Sequence, residues 1–419
     1  MKFLFVSNRY PPDAEGGYEI RLFHLVAALR VLGHACAIVT RTRPSHDTSP
    51  YSDEGVFRIL ECRSNNTSSP TGRLSNIIES QKNAIWLSQI IRAFEPDWVF
   101  HFNLAGMSPS LMTVAPLHNV PQACWIEDTW LRAIPTHGGA ILNPWFQIHN
   151  ARPKTRLTTL APLIRPWIPA EAPVGRSIRL KYPVEMQLGL FVSHYQEWQN
   201  RTPAVSFGQK SILPAGIPLP STRHAIQPIS AGEPIRLLYA GALTPDRGIP
   251  VLWEALESMT KSERDGFKLT LAGKAPNEWA QRFWESFRRS TAQSPVWNIT
   301  DAIGHISHDT MEDLLRRHDI LVFPSQREEG RPLIMQEAMA NGCHVIASGS
   351  GGSAELCMEA GLPTYPANSP AALKAELLRQ RVSPSELLEK RKRLLEFAHQ
   401  SFSMATTATA FLNAIDHMP

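Results

Sequence analysis

IRLLYAGALTPDRGIPVLWEALESM, residues 235–259, is the stretch whose reading decides the fold. Its first six residues are apolar apart from Arg236 and stop at Gly241, which is the length and the bounding of a buried strand. A turn follows, rich in Thr, Pro, Asp and Gly. Apolar side chains then recur with helical period from Val251 to Met259, so the stretch predicts strand, glycine turn and helix. The pattern repeats downstream: strands are expected at 268–272, 320–323 and 344–347, and helices at 278–289, 310–318 and 332–341. Strands that alternate with helices of this length make parallel α/β sheets.

The beginning of the chain reads the same way. An apolar run at 3–6 is followed by a Pro/Gly loop and by Leu22, Leu25, Val26, Leu29 and Leu32 at helical spacing, closed by Gly33. A second run spans 35–39, and further strands are expected at 98–102, 123–126 and 188–192. Between the two series the texture changes, with 12 of the 34 prolines lying in residues 151–240, where long helices cannot run. The expected fold is α/β, with two doubly wound Rossmann-like domains facing across a cleft. Residues 1–218 form an acceptor-side domain containing a basic, proline-rich insertion at 151–182. Residues 219–398 form a donor-binding domain, and 399–419 a helix that packs back on the first domain.

With 419 residues, 43% of them hydrophobic and 19% charged, the chain can bury large cores. Its formal charge of +4 is local: Arg152, Lys154, Arg156, Arg165, Arg176, Arg179 and Lys181 face only Glu171 between 151 and 182. That segment fits a solvated, proline-broken insertion first, and then an anionic membrane surface or a phosphorylated lipid-linked acceptor. No nucleic-acid-binding pattern accompanies it. Five cysteines without CxxC spacing argue against a disulfide framework or a zinc cluster. With no long apolar span, the chain is expected in the cytoplasm, with peripheral contact at the inner membrane surface as an option.

The strongest chemical signal is PSQREEGRPLIMQEAMANG, 324–342. Glu329 and Glu337 are separated by seven residues, Gly330 permits close backbone approach, Pro332 suits the first helical position and Gly342 the helix end. Free N–H groups at such a helix start bind phosphate oxygens, and a carboxylate a turn and a half in can accept from ribose hydroxyls. The same residues also fit a surface loop followed by an ordinary amphipathic helix.

Here the sequence resembles the large retaining family of nucleotide-sugar-dependent glycosyltransferases numbered four, of the GT-B fold. EGRPLIMQEAMA (329–340) is similar to its Glu-x7-Glu motif. LLYAGALTPDRGIPVLWEAL (237–256), RHDILVFPS (317–325) and GSGGSAEL (349–356) are similar to further family motifs in the same order, and SNRYPPDAEGGYE (7–19) to its N-terminal double-glycine loop. The resemblance implies that Arg247 neutralises the leaving diphosphate and Glu329 orients the sugar. It also implies donor contacts from Gly16, Gly17, Gly241, Lys274, Gly330, Arg331, Pro332, Leu333, Glu337 and Glu355. Asp128 is the matching catalytic candidate in the first domain, with Glu127 and His101 on the acceptor side. No Asp-x-Asp motif occurs and no metal or other cofactor is expected, the nucleotide sugar being a substrate, UDP- or GDP-linked. The acceptor implied is a glycan or a lipid-linked molecule. Two positions depart from the family: Ala242 stands where an arginine is common, and Glu127 where the family has His.

Two other classes fit parts of the pattern. Gly349-x-Gly351-x-x-Ala354 after an apolar strand is the spacing of an NAD(P)-dependent oxidoreductase, although it comes late in its domain and lacks the expected downstream acid. The departures at Ala242 and Glu127 also fit a non-catalytic sugar-nucleotide or glycan binder.

Overall fold

The structure is a computed structural model that describes residues 1–13, 16–42, 54–62, 70–134, 183–220, 225–230, 232–381 and 384–418. The basic segment 151–182 lies outside the described residues. The chain divides into two compact units.

The first unit comprises Met1–Val192, Gln196–Pro214 and Ala408–Pro419. Its elements are β1 (Lys2–Ser7), α1 (Gly17–Val31), β2 (Ala35–Arg41), β3 (Val56–Leu60), α2 (Pro70–Phe94), β4 (Trp98–Asn103), β5 (Gln122–Ile126), β6 (Val184–Phe191), the short α3 (His194–Gln199) from Gln196 onward, and β7 (Val205–Ile212). All seven strands are parallel, in the order β3-β2-β1-β4-β5-β6-β7. The order reverses between β1 and β4, so the loops after those strands splay apart at the carboxyl edge. β4 and β5 are buried along their whole length, as parallel strands covered on both faces must be.

The second unit comprises Ser193–Tyr195 and Ala215–Thr407. It runs β8 (Ile235–Ala240), α4 (Ile249–Glu257), α5 (Lys261–Arg264), β9 (Phe267–Ala272), α6 (Glu278–Ser290), β10 (Thr300–Gly304), α7 (His308–Arg317), β11 (Ile320–Phe323), α8 (Leu333–Ala340), β12 (His344–Ser348), α9 (Gly351–Glu359), β13 (Thr364–Tyr365), α10 (Pro370–Arg381), α11 (Pro384–Ser401) and the start of α12 (Met404–Asp416). The parallel order is β10-β9-β8-β11-β12-β13, with the reversal between β8 and β11. β8 feeds two cores: Ile235, Leu237 and Tyr239 pack with α4, whereas Leu238 packs with α8 and α11. At the amino edge Asp319, fully buried, accepts from the Arg236 backbone at 2.9 Å, from the Arg236 guanidinium at 2.7 and 2.9 Å, and from Arg391 at 2.7 Å. This fixes β8 against β11, and with them the two loops at the opposite edge.

The expected C-terminal helix begins later than residue 399. α11 continues to Ser401, and α12 passes from the second unit into the first. There Phe411, fully buried, meets Phe100 at 4.6 Å, Phe3 at 5.4 Å, Trp125 at 6.2 Å and Phe5 at 6.3 Å between ring centroids. No helix among the described residues is long and apolar enough to cross a membrane.

Candidate active site

In the second unit the loops after β8 and β11 meet at the switch point, where open α/β sheets bind ligands. Gly248 makes the meeting possible. Its φ is +78°, and a Cβ there would lie 1.8 Å from the Pro324 carbonyl oxygen. Gln326 N–H donates to the Asp246 carbonyl at 2.9 Å, joining the loops directly. Arg247, in the short 3-10 turn Pro245–Arg247, forms a hydrogen-bonded ion pair with Glu329. Ser325, buried, donates its hydroxyl to the same Glu329 oxygen at 3.1 Å. The two expected catalytic groups of this unit are therefore together, one cation and one carboxylate, with side chains 30% and 17% exposed.

Glycines hold the carboxylate loop close to its neighbours. Gly352 N–H donates to the Glu329 carbonyl at 2.8 Å, and a Cβ on Gly352 would come within 1.6 Å of the Gly330 oxygen. Gly351 has φ +55° and lies against the backbone of Glu328 and Glu329. Gly351 and Gly352 thus have a packing reason, to admit the 328–330 loop, while Gly349 lies against Thr364 of β13. Gly241 approaches Gly273 just as closely, its carbonyl oxygen 1.8 Å from where a Cβ of Gly273 would be. Lys274 is exposed, and its carbonyl receives Leu243 N–H at 3.1 Å.

Pro332 is the N-cap of α8, with ψ 122°, one position earlier than expected. Leu333, partly buried, opens the helix, whose first intrahelical bond runs from Gln336 N–H to the Pro332 carbonyl at 3.5 Å. The amides of the first turn precede that bond, as in any helix start. Glu337 follows on α8, partly buried.

Two expected donor contacts have other engagements. Arg331 is buried and makes a bidentate pair with Glu359 of α9 at 2.7 and 3.0 Å, with its guanidinium 5.7 Å from the Phe402 ring centre. Its side chain ties α9 to the loop rather than offering a charge to ligand. Glu355 accepts two backbone bonds, from His194 N–H at 2.9 Å and Tyr195 N–H at 2.5 Å. Both carboxylate oxygens hold the 193–195 segment within the second unit.

In the first unit Gly16, N-cap of α1, donates its N–H to the Glu19 carboxylate at 3.0 Å, and Gly17 opens the helix. A buried internal carboxylate thus meets the amide expected for phosphate. The Gly-x-x-Glu spacing of a capping box is visible in the sequence and could have predicted this. Glu127, just beyond β5, has a side chain only 8% exposed; it pairs with buried Arg21 and accepts from Trp125 Nε1 at 2.7 Å. Burial pushes its carboxyl up to about 7 against the opposing pull of Arg21. Tyr18 completes the cluster: its hydroxyl donates to the Trp125 carbonyl at 2.5 Å and receives Glu127 N–H at 3.1 Å and Trp130 Nε1 at 3.2 Å. Asp128, exposed, accepts from Trp130 N–H at 2.9 Å. His101 lies inside the sheet, fully buried, its Nε2 3.0 Å from Gln122 Oε1. Burial lowers its imidazole to about 4, so it is a neutral core group and not an accessible one. Arg21 and Glu359 lie outside the quoted motifs, and Tyr18 and Ser325 stand within them without an assigned role, so sequence reasoning passes over all four.

Among the described residues no group of three or more His, Cys, Asp or Glu side chains is arranged to hold a metal ion. Residues 222–398 match the family Glycosyl transferases group 1. A lipopolysaccharide 1,2-N-acetylglucosaminetransferase of Salmonella typhimurium is 33% identical over 127 residues, which span 29% of this chain and 32% of that enzyme, about a third of its length. A glycogen synthase of Mycobacterium tuberculosis is 24% identical over 370 residues, 85% of this chain and 80% of its own. Among solved structures, Anabaena HepE in complex with UDP superposes with a TM-score of 0.69 at 13% identity, covering 99% of this chain and 100% of its own. Residues 222–398 thus match a glycosyl transferases group 1 domain, and the two parallel-sheet units share the fold of solved GT-B glycosyltransferases.

Proposed function

We propose that the protein moves a sugar from a nucleoside diphosphate sugar to a glycan or lipid-linked acceptor, with retention of anomeric configuration and without a metal ion. The observation that carries this reading is the Arg247–Glu329 pair at the β8/β11 switch point, next to the start of α8. In the reaction the bond from the sugar C1 to the diphosphate oxygen breaks, one to an acceptor hydroxyl oxygen forms and the hydroxyl proton passes to the leaving diphosphate, on which negative charge grows as the first bond opens. Arg247 and the first-turn amides of α8 are the groups suited to meet that charge. Glu329, steadied by Ser325, orients sugar hydroxyls and Glu337 the ribose. UDP- or GDP-sugars are the donors we assign, and crystal structures of the similarly folded HepE with UDP and with UDP-glucose support the first.

On the acceptor side we assign Asp128 and Glu127, and membrane contact to the seven cations of 151–182. A thermal-shift screen with UDP-, GDP- and ADP-sugars tests the donor, and one nucleotide class is expected to raise the melting midpoint. Proton NMR of the product then reads the anomeric configuration with and without EDTA. Donor binding without turnover on any glycan or lipid-linked acceptor would leave a binder, and an inverted product or EDTA-sensitive turnover would refute the chemistry.

A further inference from the structure

Arg247 is not the only arginine at the β8/β11 switch point. The loop after β8, residues 241–248, carries Asp246 and Arg247, and the chain leaving β11, residues 324–330, carries Arg327, Glu328 and Glu329. The two loops exchange partners. Arg247 of the first pairs with Glu329 of the second, and Arg327 of the second pairs with Asp246 of the first, Nε to Oδ2 at 3.7 Å. The bond from Gln326 N–H to the Asp246 carbonyl at 2.9 Å joins the same two loops through their backbones.

Arg327 is fixed at its root and loose at its head. Its N–H donates to Ser325 Oγ at 3.2 Å, the hydroxyl that also donates to Glu329, and its carbonyl accepts from Glu329 N–H at 3.1 Å. Its backbone therefore belongs to the turn that sets the Glu329 carboxylate. Among the described residues its guanidinium has no partner but Asp246, at a separation too long for a hydrogen bond, with the two side chains 55% and 45% exposed. So exposed a pair is worth little and opens at small cost.

Charge balance is an independent observation. The two loops hold two arginines against three carboxylates, and Arg247 already faces Glu329. The next cation along the chain, Arg331, is taken up by Glu359. A diphosphate brought to this edge would therefore meet a net negative wall unless both arginines turned toward it.

We propose that Arg327 is a second diphosphate-binding residue, which leaves Asp246 when a nucleoside diphosphate enters, so that each of the two loops grips the phosphates with one arginine. The proposal rests on the donor reading given above and adds to it a residue to which that reading gives no role. An arginine fork matches phosphoryl oxygens better than a half-exposed carboxylate 3.7 Å away.

The test is calorimetry of the full chain with UDP and with GDP, on the wild type, Arg327→Ala, Asp246→Asn, the double variant of these two, and Arg247→Ala. For whichever nucleotide the wild type binds, Arg327→Ala is expected to weaken affinity about three- to ten-fold, a charge-assisted contact discounted for its exposure. Asp246→Asn, which frees the guanidinium, is expected to tighten it up to about five-fold, and by more in the wild type than in the Arg327→Ala background. An arginine that stays with Asp246 and acts only through its field would make the two substitutions additive. Arg327→Ala within about two-fold of the wild type, or an Asp246→Asn gain equal in both backgrounds, overturns the proposal. If Arg247→Ala weakens the nucleotide in the same series, the donor reading stands without Arg327. Affinity unchanged in both Arg247→Ala and Arg327→Ala, or no binding of either nucleotide, overturns both.

Discussion

Replacing the two members of the Arg247–Glu329 pair one at a time is expected to move nucleotide affinity in opposite directions. Arg247→Ala removes a charge-assisted contact to the diphosphate, about 1.5–3 kcal/mol. Part of that is returned, because the wild type must first separate Arg247 from Glu329. With side chains 30% and 17% exposed the pair is solvent-screened, and its separation costs about 0–1 kcal/mol. The net loss is about 0.5–3 kcal/mol, or roughly 2- to 160-fold weaker UDP binding. Glu329→Gln keeps the shape and the Ser325 hydrogen bond but removes the competing charge. UDP without its sugar should bind this variant up to about five-fold more tightly, while turnover of the nucleotide sugar falls. Calorimetry at two salt concentrations measures both effects, and the Glu329→Gln gain should shrink in higher salt as the competing interaction is screened. If Glu329→Gln weakens UDP as much as Arg247→Ala does, the carboxylate is not competing for the arginine. If Arg247→Ala leaves UDP affinity unchanged, the diphosphate is held elsewhere.

Three further outcomes are expected. Gly352→Ala would press a methyl to within 1.6 Å of the Gly330 oxygen, so the 329–330 loop must shift; nucleotide affinity should fall while circular dichroism keeps the wild-type helix content, and unchanged affinity would refute the loop argument. Phe411→Ala removes a fully buried ring from the first unit's aromatic cluster and should cost about 3–5 kcal/mol in urea unfolding, with a change under about 1 kcal/mol denying the packing. The Glu127 carboxyl, raised in the folded state from 4.5 to about 7, contributes stability that is present in acid and is lost as pH rises through 7. The melting midpoint of the wild type should therefore fall more between pH 5 and pH 8 than that of Glu127→Gln, and parallel curves would contradict a buried, proton-holding carboxyl.

The sheets were legible because buried parallel strands read as short apolar runs: β8 and β11 occupy the expected residues. β7 was not legible. VSFGQKSI sits at the sheet edge, alternates in exposure, and lacks the continuous apolar character of a covered strand. At the site, the meeting of Arg247 with Glu329 follows from their shared position at strand ends flanking a reversal, a property of topology that motif order anticipates. Arg331 is the contrasting case. Its place in the motif suggests a donor contact, but its partner Glu359 lies a whole helix away in the chain, and nothing local announces that pairing. Glu127 and Arg21 are likewise 106 residues apart, so a residue that looks like a departure from the family's His is half of a pair that only the folded sheet brings together.

Phe411 also bears on how the chain matures. The first unit is discontinuous in sequence: β1, β4 and β5 precede the second unit, whereas the ring that seals Phe3, Phe5, Phe100 and Trp125 follows it. During synthesis the aromatic face of the first sheet therefore waits, through the whole of the second unit, for its cover. A fragment cut at residue 398, where the match to the glycosyl transferases group 1 family stops, would leave that face without Phe411 permanently, and a first unit expressed alone would need residues 408–418 supplied in trans or grafted ahead of β1.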